Sequence, residues 1–211
     1  MAVFLAAFGG VAGNFSMLEG VLRHLGDLGI LTIAHTGGLL CGGDDAPAII
    51  ELIRDSGVIC VQGAADRRVA RFQRKSGALE KRLGQKDYAR IAQAHAALSG
   101  AQLEWLQGLP RVRRFRVEGV NITLCHGLPD RAGGRLTRQT PVERLLRQRE
   151  HDPNPLILCG GAPEPCVRRA GETLFADPGT LAGPDGMGRF TVVDTESAPW
   201  QVTNASLKDA E

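Results

Sequence analysis

VICVQGAADRRV, Val58 to Val69, is the stretch on which the reading of this chain turns. Val58 to Val61 is a short apolar run rich in β-branching, the pattern of a buried strand. The run stops at Gly63, and a polar, helix-prone segment begins at Asp66. Strand, tight turn and helix in succession put a turn at the C-terminal end of a strand. Open α/β sheets carry their ligand sites at such ends. Yet between Gly63 and Asp66 the turn holds only Ala64 and Ala65. A place shaped like a site contains no reactive side chain.

The flanking sequence repeats the unit. Val3 to Phe8 reads as a first strand, followed by a turn at Gly9, Gly10 and Gly13 and a helix N-cap at Asn14. Leu18, Val21, Leu22 and Leu25 keep the i, i+3, i+4, i+7 spacing of a helix with one buried face. Ile30 to Ala34 is a second strand, ending in His35-Thr36-Gly37-Gly38. Asp45 stands as the next N-cap, with Pro47 in the first turn and Ile49, Ile50 and Ile53 as the buried face. This β-α-β-α-β order implies parallel strands joined by right-handed crossovers.

Beyond the central turn, Arg67 to Leu98 reads as a long, mostly helical excursion, and Ser99 caps a further short helix. Val112 to Val117 and Val120 to Cys125 form a hairpin around Glu118-Gly119, ending in His126-Gly127. An arginine-containing loop, Leu128 to Arg138, leads to a helix at Pro141 to Glu150. Leu156 to Cys159 is another buried strand, ending in Gly160-Gly161. Short antiparallel strands follow at Cys166 to Ala170, Thr173 to Ala176, Phe190 to Asp194 and Trp200 to Val202. One α/β domain over residues 1–203 is expected, with residues 204–211 a polar, frayed tail.

Hydrophobic content of 43%, charged content of 23% and a formal charge of +2 are those of an ordinary soluble globule, without a strong pull toward nucleic acid or membrane. The five cysteines are scattered with no CxxC, so a disulfide framework is not expected and a reducing cytoplasm is the simplest compartment. No segment is long enough to span a bilayer, and MAVFLAAFGG lacks the basic flank of a signal peptide.

The glycine-marked strand ends, in this order, resemble those of the calcineurin-like metallophosphoesterase superfamily, especially its small bacterial and archaeal phosphodiesterase-type members. That family carries the blocks DxHGN, GD, GNHD, HG and GHTH, then NPGS. The matching stretches are Gly10-Val11-Ala12-Gly13-Asn14, Gly37-Gly38, Gly63-Ala64-Ala65-Asp66, His126-Gly127, Gly160-Gly161-Ala162-Pro163 and Asp177-Pro178-Gly179-Thr180. The resemblance implies a four-layer αββα sandwich. It also implies a dinuclear centre that polarises a phosphoryl oxygen and activates a bridging water. The residues of that centre are not kept. Gly10 and Ala12 stand where Asp and His belong, Gly38 replaces the bridging aspartate, and Ala64 and Ala65 replace the asparagine ligand and the catalytic histidine. Gly161 and Pro163 replace the paired histidines, and His126 alone matches a ligand position. A catalytic metal needs about three protein ligands, so no metal or other cofactor is expected. These vestigial positions should line an open, shallow hollow with Asn14, Asp66 and His126 as a candidate ligand or anion pocket.

Other features of the sequence have plain structural roles beside any functional one. His35, Cys41, Asp44, Asp45 and His126 are zinc-binding residue types, but their spacing matches no ligand pattern. His126 is expected to hydrogen-bond a neighbouring loop, Asn14 and Asp66 to cap helices, and Cys125 and Cys159 to face the core. The turns at Gly9 to Asn14 and Gly160-Gly161 could hold phosphate through free N–H groups. Arg67, Arg71, Arg74 and Lys75 fall at i, i+4, i+7 and i+8, a basic face for a partner if one helix carries them all. Three functions follow as expectations. The leading one is a catalytically inactive scaffold or subunit working through protein contacts, as the retromer's subunit of this fold does, with a protein partner that is acidic in one form of the reading. The others are a phosphodiesterase with an altered centre around His126, and a metal-free binder of a nucleotide or nucleic acid.

Overall fold

β1 (Phe4–Phe8) is buried on both sides, and its alternation assigns each residue to one of two cores. Leu5 and Ala7 face a second sheet, whereas Ala6 and Phe8 face helices. The structure is a computed structural model describing residues 4–40, 45–130, 134–183, 185–197 and 200–208.

β1 pairs in parallel with β2 (Thr32–His35), and β2 with β3 (Ile59–Cys60). The connections are α1 (Phe15–Asp27) and α2 (Ala46–Asp55). Their buried faces are Met17, Leu18, Val21 and Leu25, and Ala46, Ile49, Ile50 and Ile53. β3 is an edge strand and shorter than Val58 to Val61. The Val61 N–H still donates to His35 O at 3.3 Å, and the chain then turns to a new partner, with the Gln62 N–H donating to Pro110 O at 2.8 Å. Then come α3 (Ala64–Ala70), α4 (Phe72–Glu80), α5 (Gln85–Ala97) and α6 (Gly100–Gly108). Ser99 caps α6 reciprocally with Gln102.

The hairpin of β4 (Val112–Val117) and β5 (Val120–Cys125) turns at Glu118 and Gly119, with φ of 45° and 81°. Positive φ at both central residues is the geometry of a type I′ turn. α7 (Val142–His151), β6 (Leu156–Leu158), β7 (Cys166–Ala170), β8 (Thr173–Asp177), β9 (Met187–Asp194) and β10 (Gln201–Lys208) complete the chain. Among the described residues the strands form two five-stranded sheets, ordered β10-β9-β1-β2-β3 and β4-β5-β6-β8-β7. The αββα sandwich is therefore the architecture.

Leu5, Ala7, Ala34, Val61, Ile122, Leu124, Leu156, Leu158, Ala176 and Val193 make the layer between the sheets. Alanines at three of these positions let the sheets approach closely. Cys125, Cys159 and Phe175 belong to the outer core under α7, so both cysteines face away from the inter-sheet layer, as alternation requires.

One expectation for the chain end fails. Asn204 to Lys208 do not fray: β10 pairs with β9 through Lys208, with Leu207 and Ala205 packed on the core beside α1, and residues 209–211 of the expected tail lie outside the described residues. The polar sequence QVTNASLK suits an edge strand whose outer face meets water. Asp45 takes the N-cap position of α2, but no side-chain cap hydrogen bond forms there. No helix among the described residues is long and apolar enough to cross a membrane.

Candidate functional site: a glycine-packed junction and an arginine-lined cleft

The loops after β1, β2, β3, β5, β6 and β8 meet at one edge of the sandwich. Their contact is largely backbone against backbone. The N–H groups of Gly10 and Val11 donate to Gly37 O and Gly38 O at 3.2 and 3.1 Å, and Gly127 donates to Gly160 O at 2.9 Å. Leu181 donates to Gly9 O at 2.8 Å. A Cβ on Gly37 (φ 91°) would lie 2.8 Å from His126 Nδ1 and 2.9 Å from the Gly63 Cα, so glycine is needed there for both φ and size. One on Gly38 (φ 85°) would make ordinary contact, 3.5 Å from the Gly10 Cα, so glycine is needed there for φ.

Asp66 locks the junction. The helix begins at Ala64, two residues earlier than its sequence suggests, with Gly63 as N-cap. Asp66 is thus the third helical residue, fully buried, and reaches back. Its Oδ2 accepts from Gly63 N at 2.8 Å and Gly38 N at 2.9 Å, and its Oδ1 accepts from Leu40 N at 2.9 Å. One carboxylate therefore ties the β2 loop to the β3 loop through three charge-assisted bonds.

His126 supplies the link between the sheets. Its Nδ1 lies 2.9 Å from Thr36 O. A carbonyl only accepts, so Nδ1 carries the proton and Nε2 is left toward Gly161. A Cβ on Gly161 would lie 3.7 Å from that Nε2. The expected bond from His126 to a neighbouring loop is present.

Asp177 does for the second sheet what Asp66 does for the first. Its Oδ2 accepts from Ala162 N at 3.1 Å and its Oδ1 from Gly179 N at 2.9 Å. Burial pushes its pKa up to about 7, against the opposing pull of the Gly179 and Ala162 N–H groups and Arg135.

The anticipated hollow lined by Asn14, Asp66 and His126 does not form. The glycine loops close on one another, Asp66 is sealed beneath them, and Asn14 is spent on capping α1 through Met17 N at 2.9 Å. The N–H groups of Gly10 and Val11 are likewise occupied, so the Gly9 to Asn14 turn does not offer both to an anion. What opens instead is a cleft of about 480 Å³ displaced to one side, bordered by Gly63, Ala64, Arg67, Arg111, His126, Arg135 and Gly161 among others. Of the vestigial positions it brings together Ala64, His126 and Gly161, and not Gly10, Ala12, Gly38, Ala65 or Pro163. Arg111 reads in the sequence only as added charge beside the basic excursion, with Arg113, Arg114 and Arg116, and Arg135 only as part of a loop. Their signal was the arginine content of the segments flanking the hairpin, which spacing alone could not place.

The basic face is also rearranged. Arg71, at φ −106°, ends α3 and starts α4, so Arg67 and Arg74 sit on different helices. Arg67 turns to the cleft, whereas Arg71, Arg74 and Lys75 are exposed.

The donors present do not fit a dinuclear centre. Both oxygens of Asp66 are committed to backbone N–H groups. His35 is fully buried, its Nδ1 accepts from Gly37 N at 3.3 Å, and burial together with nearby His126 holds its pKa down at about 3. Among the described residues no group of three or more His, Cys, Asp or Glu is placed to hold a metal ion. Cys41 and Asp44 of the zinc candidates lie outside the described residues.

Two outcomes test this geometry. Asp66→Ala strands three buried N–H groups and should lower unfolding free energy by about 3–5 kcal/mol in urea titrations. Asp177 bears on pH dependence. Its folded pKa is raised, so its contribution to stability is complete below the ordinary carboxylate range of about 4 and is lost as pH rises toward about 7. Urea midpoints measured across that window should fall with pH in the native chain and stay flatter in Asp177→Asn.

A profile of the calcineurin-like phosphoesterase superfamily domain matches residues 13–198. No curated protein matches the sequence. A hypothetical protein from Pyrococcus horikoshii OT3 superposes with a TM-score of 0.85 at 17% identity, over 99% of this chain and 89% of that one. A metallophosphoesterase from Sphaerobacter thermophilus gives 0.72 at 18% identity, over 100% and 90%. Vacuolar protein sorting 29 from Cryptosporidium parvum gives 0.53 at 14% identity, over 98% of each chain. With a family match across most of its length and the αββα sandwich in place, the chain belongs to the calcineurin-like phosphoesterase superfamily.

Proposed function

We propose that this chain is a catalytically inactive member of its superfamily, acting in the cytoplasm as a scaffold or subunit through protein contacts. The observation that carries the reading is the double commitment of Asp66. The carboxylate nearest the vestigial positions holds three backbone N–H groups, and the surrounding ligand positions are Gly, Ala and Pro. Metal-assisted hydrolysis needs ligands that fix an ion and leave an open coordination position. His126 Nε2 alone offers one donor. The fold's occurrence in a vacuolar protein sorting protein supports a non-catalytic use.

A protein partner with acidic character suits the exposed Arg71, Arg74 and Lys75. Nucleic acid is less favoured, because stacking needs presented rings. Phe72 packs against Tyr88 and His95 at centroid distances of 5.4 and 5.5 Å, and Trp105 packs on the core.

The test pairs two measurements on the full chain. Manganese-supplemented protein should hydrolyse generic phosphodiesters no faster than buffer, and affinity capture from its native cells should return a partner in a fixed ratio. Turnover that disappears in His126→Ala would instead favour an altered phosphodiesterase centre, and an isolated monomer with no partner would remove the support for a scaffold.

A further inference from the structure

We propose that the cleft between the loops after β3, β5 and β6 is a metal-independent binding site for a small phosphate-bearing molecule. The inference goes beyond the scaffold reading and needs neither hydrolysis nor a protein partner.

The argument starts from charge. Arg67, Arg111 and Arg135 reach this cleft from three separate segments: α3, the connection before β4, and the loop after β5. None of the three is ion-paired to a described residue. Elsewhere on the same surface arginines do find carboxylates, as Arg114 does with Asp152 at 2.8 Å and Arg189 with Asp185 at 2.6 Å. Positive charge crowds at Arg67: partial burial and the fields of Arg111, Arg71 and Arg68 all press its pKa downward, whereas Arg135 feels the buried Asp177 carboxyl. Asp130, the carboxylate on the rim, is engaged through one oxygen, and its Oδ1 has no hydrogen-bond partner among the described residues. Its Oδ2 accepts from Gln148 Nε2 at 2.8 Å and lies 3.8 Å from Arg144.

Shape selects the ligand. A volume of about 480 Å³ falls in the range of small-molecule pockets. Converging guanidinium forks match the oxygens of phosphate bidentately. At the floor, Gly161, whose missing Cβ would point at His126 and Arg135, lets an anion approach the backbone between them. With Nδ1 bound to Thr36 O, His126 presents Nε2 from the same floor, a donor when the ring is protonated. No Phe, Tyr or Trp lines the cleft, which disfavours a site built to stack a nucleobase. Val112, Leu128 and Pro129 leave an apolar flank for the body of the ligand. A phosphorylated metabolite carrying two or more negative charges fits this arrangement.

Inorganic pyrophosphate is the probe, titrated calorimetrically into the full chain in EDTA. Saturable one-to-one binding is expected. It should weaken about tenfold or more in Arg111→Gln and in Arg135→Gln, since each removes a charge-assisted contact. Arg74→Gln, outside the cleft, should bind as the native chain does, and melting curves should show all variants folded. Absence of EDTA-resistant binding overturns the proposal, as does equal weakening in Arg111→Gln and Arg74→Gln. Tighter binding of a single-stranded oligonucleotide or an acidic peptide than of pyrophosphate would also overturn it. These failures are separate from failure of the scaffold reading, which manganese-dependent turnover reports.

Discussion

The junction of strand-end loops depends on the Asp66 carboxylate. Three backbone N–H groups from two loops converge on it, and it is fully buried. A buried charge of this kind is tolerable only when its oxygens are fully bonded. The arrangement has a consequence for chemistry. A fully buried carboxylate whose two oxygens both accept from backbone N–H groups is oriented by those bonds and not toward an ion. In a hydrolase of this superfamily, metal ions would cross-link the strand-end loops. Here Asp66, Asp177 and His126 cross-link them with hydrogen bonds.

Closing the junction also moves the opening. Arg67, Arg111 and Arg135 border the space that remains to one side, with His126 and Gly161 on its floor. The site of a phosphoester hydrolase and the cleft of this chain therefore overlap only at Ala64, His126 and Gly161. On the proposed reading the electrostatics differ in kind as well, with guanidinium groups doing what divalent ions do in a hydrolase. Arginines attract phosphate without activating water, so in that reading binding and hydrolysis come apart.

Much of this was legible in the sequence where local periodicity and burial agree. The parallel β1–β2–β3 unit, the α1 face and the β4–β5 hairpin follow from alternation, helical spacing and turn chemistry. The empty ligand positions were equally plain, because Gly and Ala carry no donors. Four features were not legible. Asn204 to Lys208 looked like a polar tail, since an edge strand with one wet face has the composition of a loop. The break at Arg71 divides what spacing presents as one helical face, and nothing in the local residues marks it. The role of Asp66 required knowing that Gly38 and Leu40, far away in sequence, arrive beside it. Cleft residues suffered for the same reason: Arg111 and Arg135 meet Arg67 only through the packing of two sheets.

The most direct test is metal stoichiometry, by elemental analysis of chain purified without chelator, soaked in manganese and zinc, and desalted. The account predicts a value near zero, because the donors of the junction are already bonded to backbone. One or two ions held per chain, lost on replacing His126 with alanine, would contradict it, since that content belongs to a working metal centre.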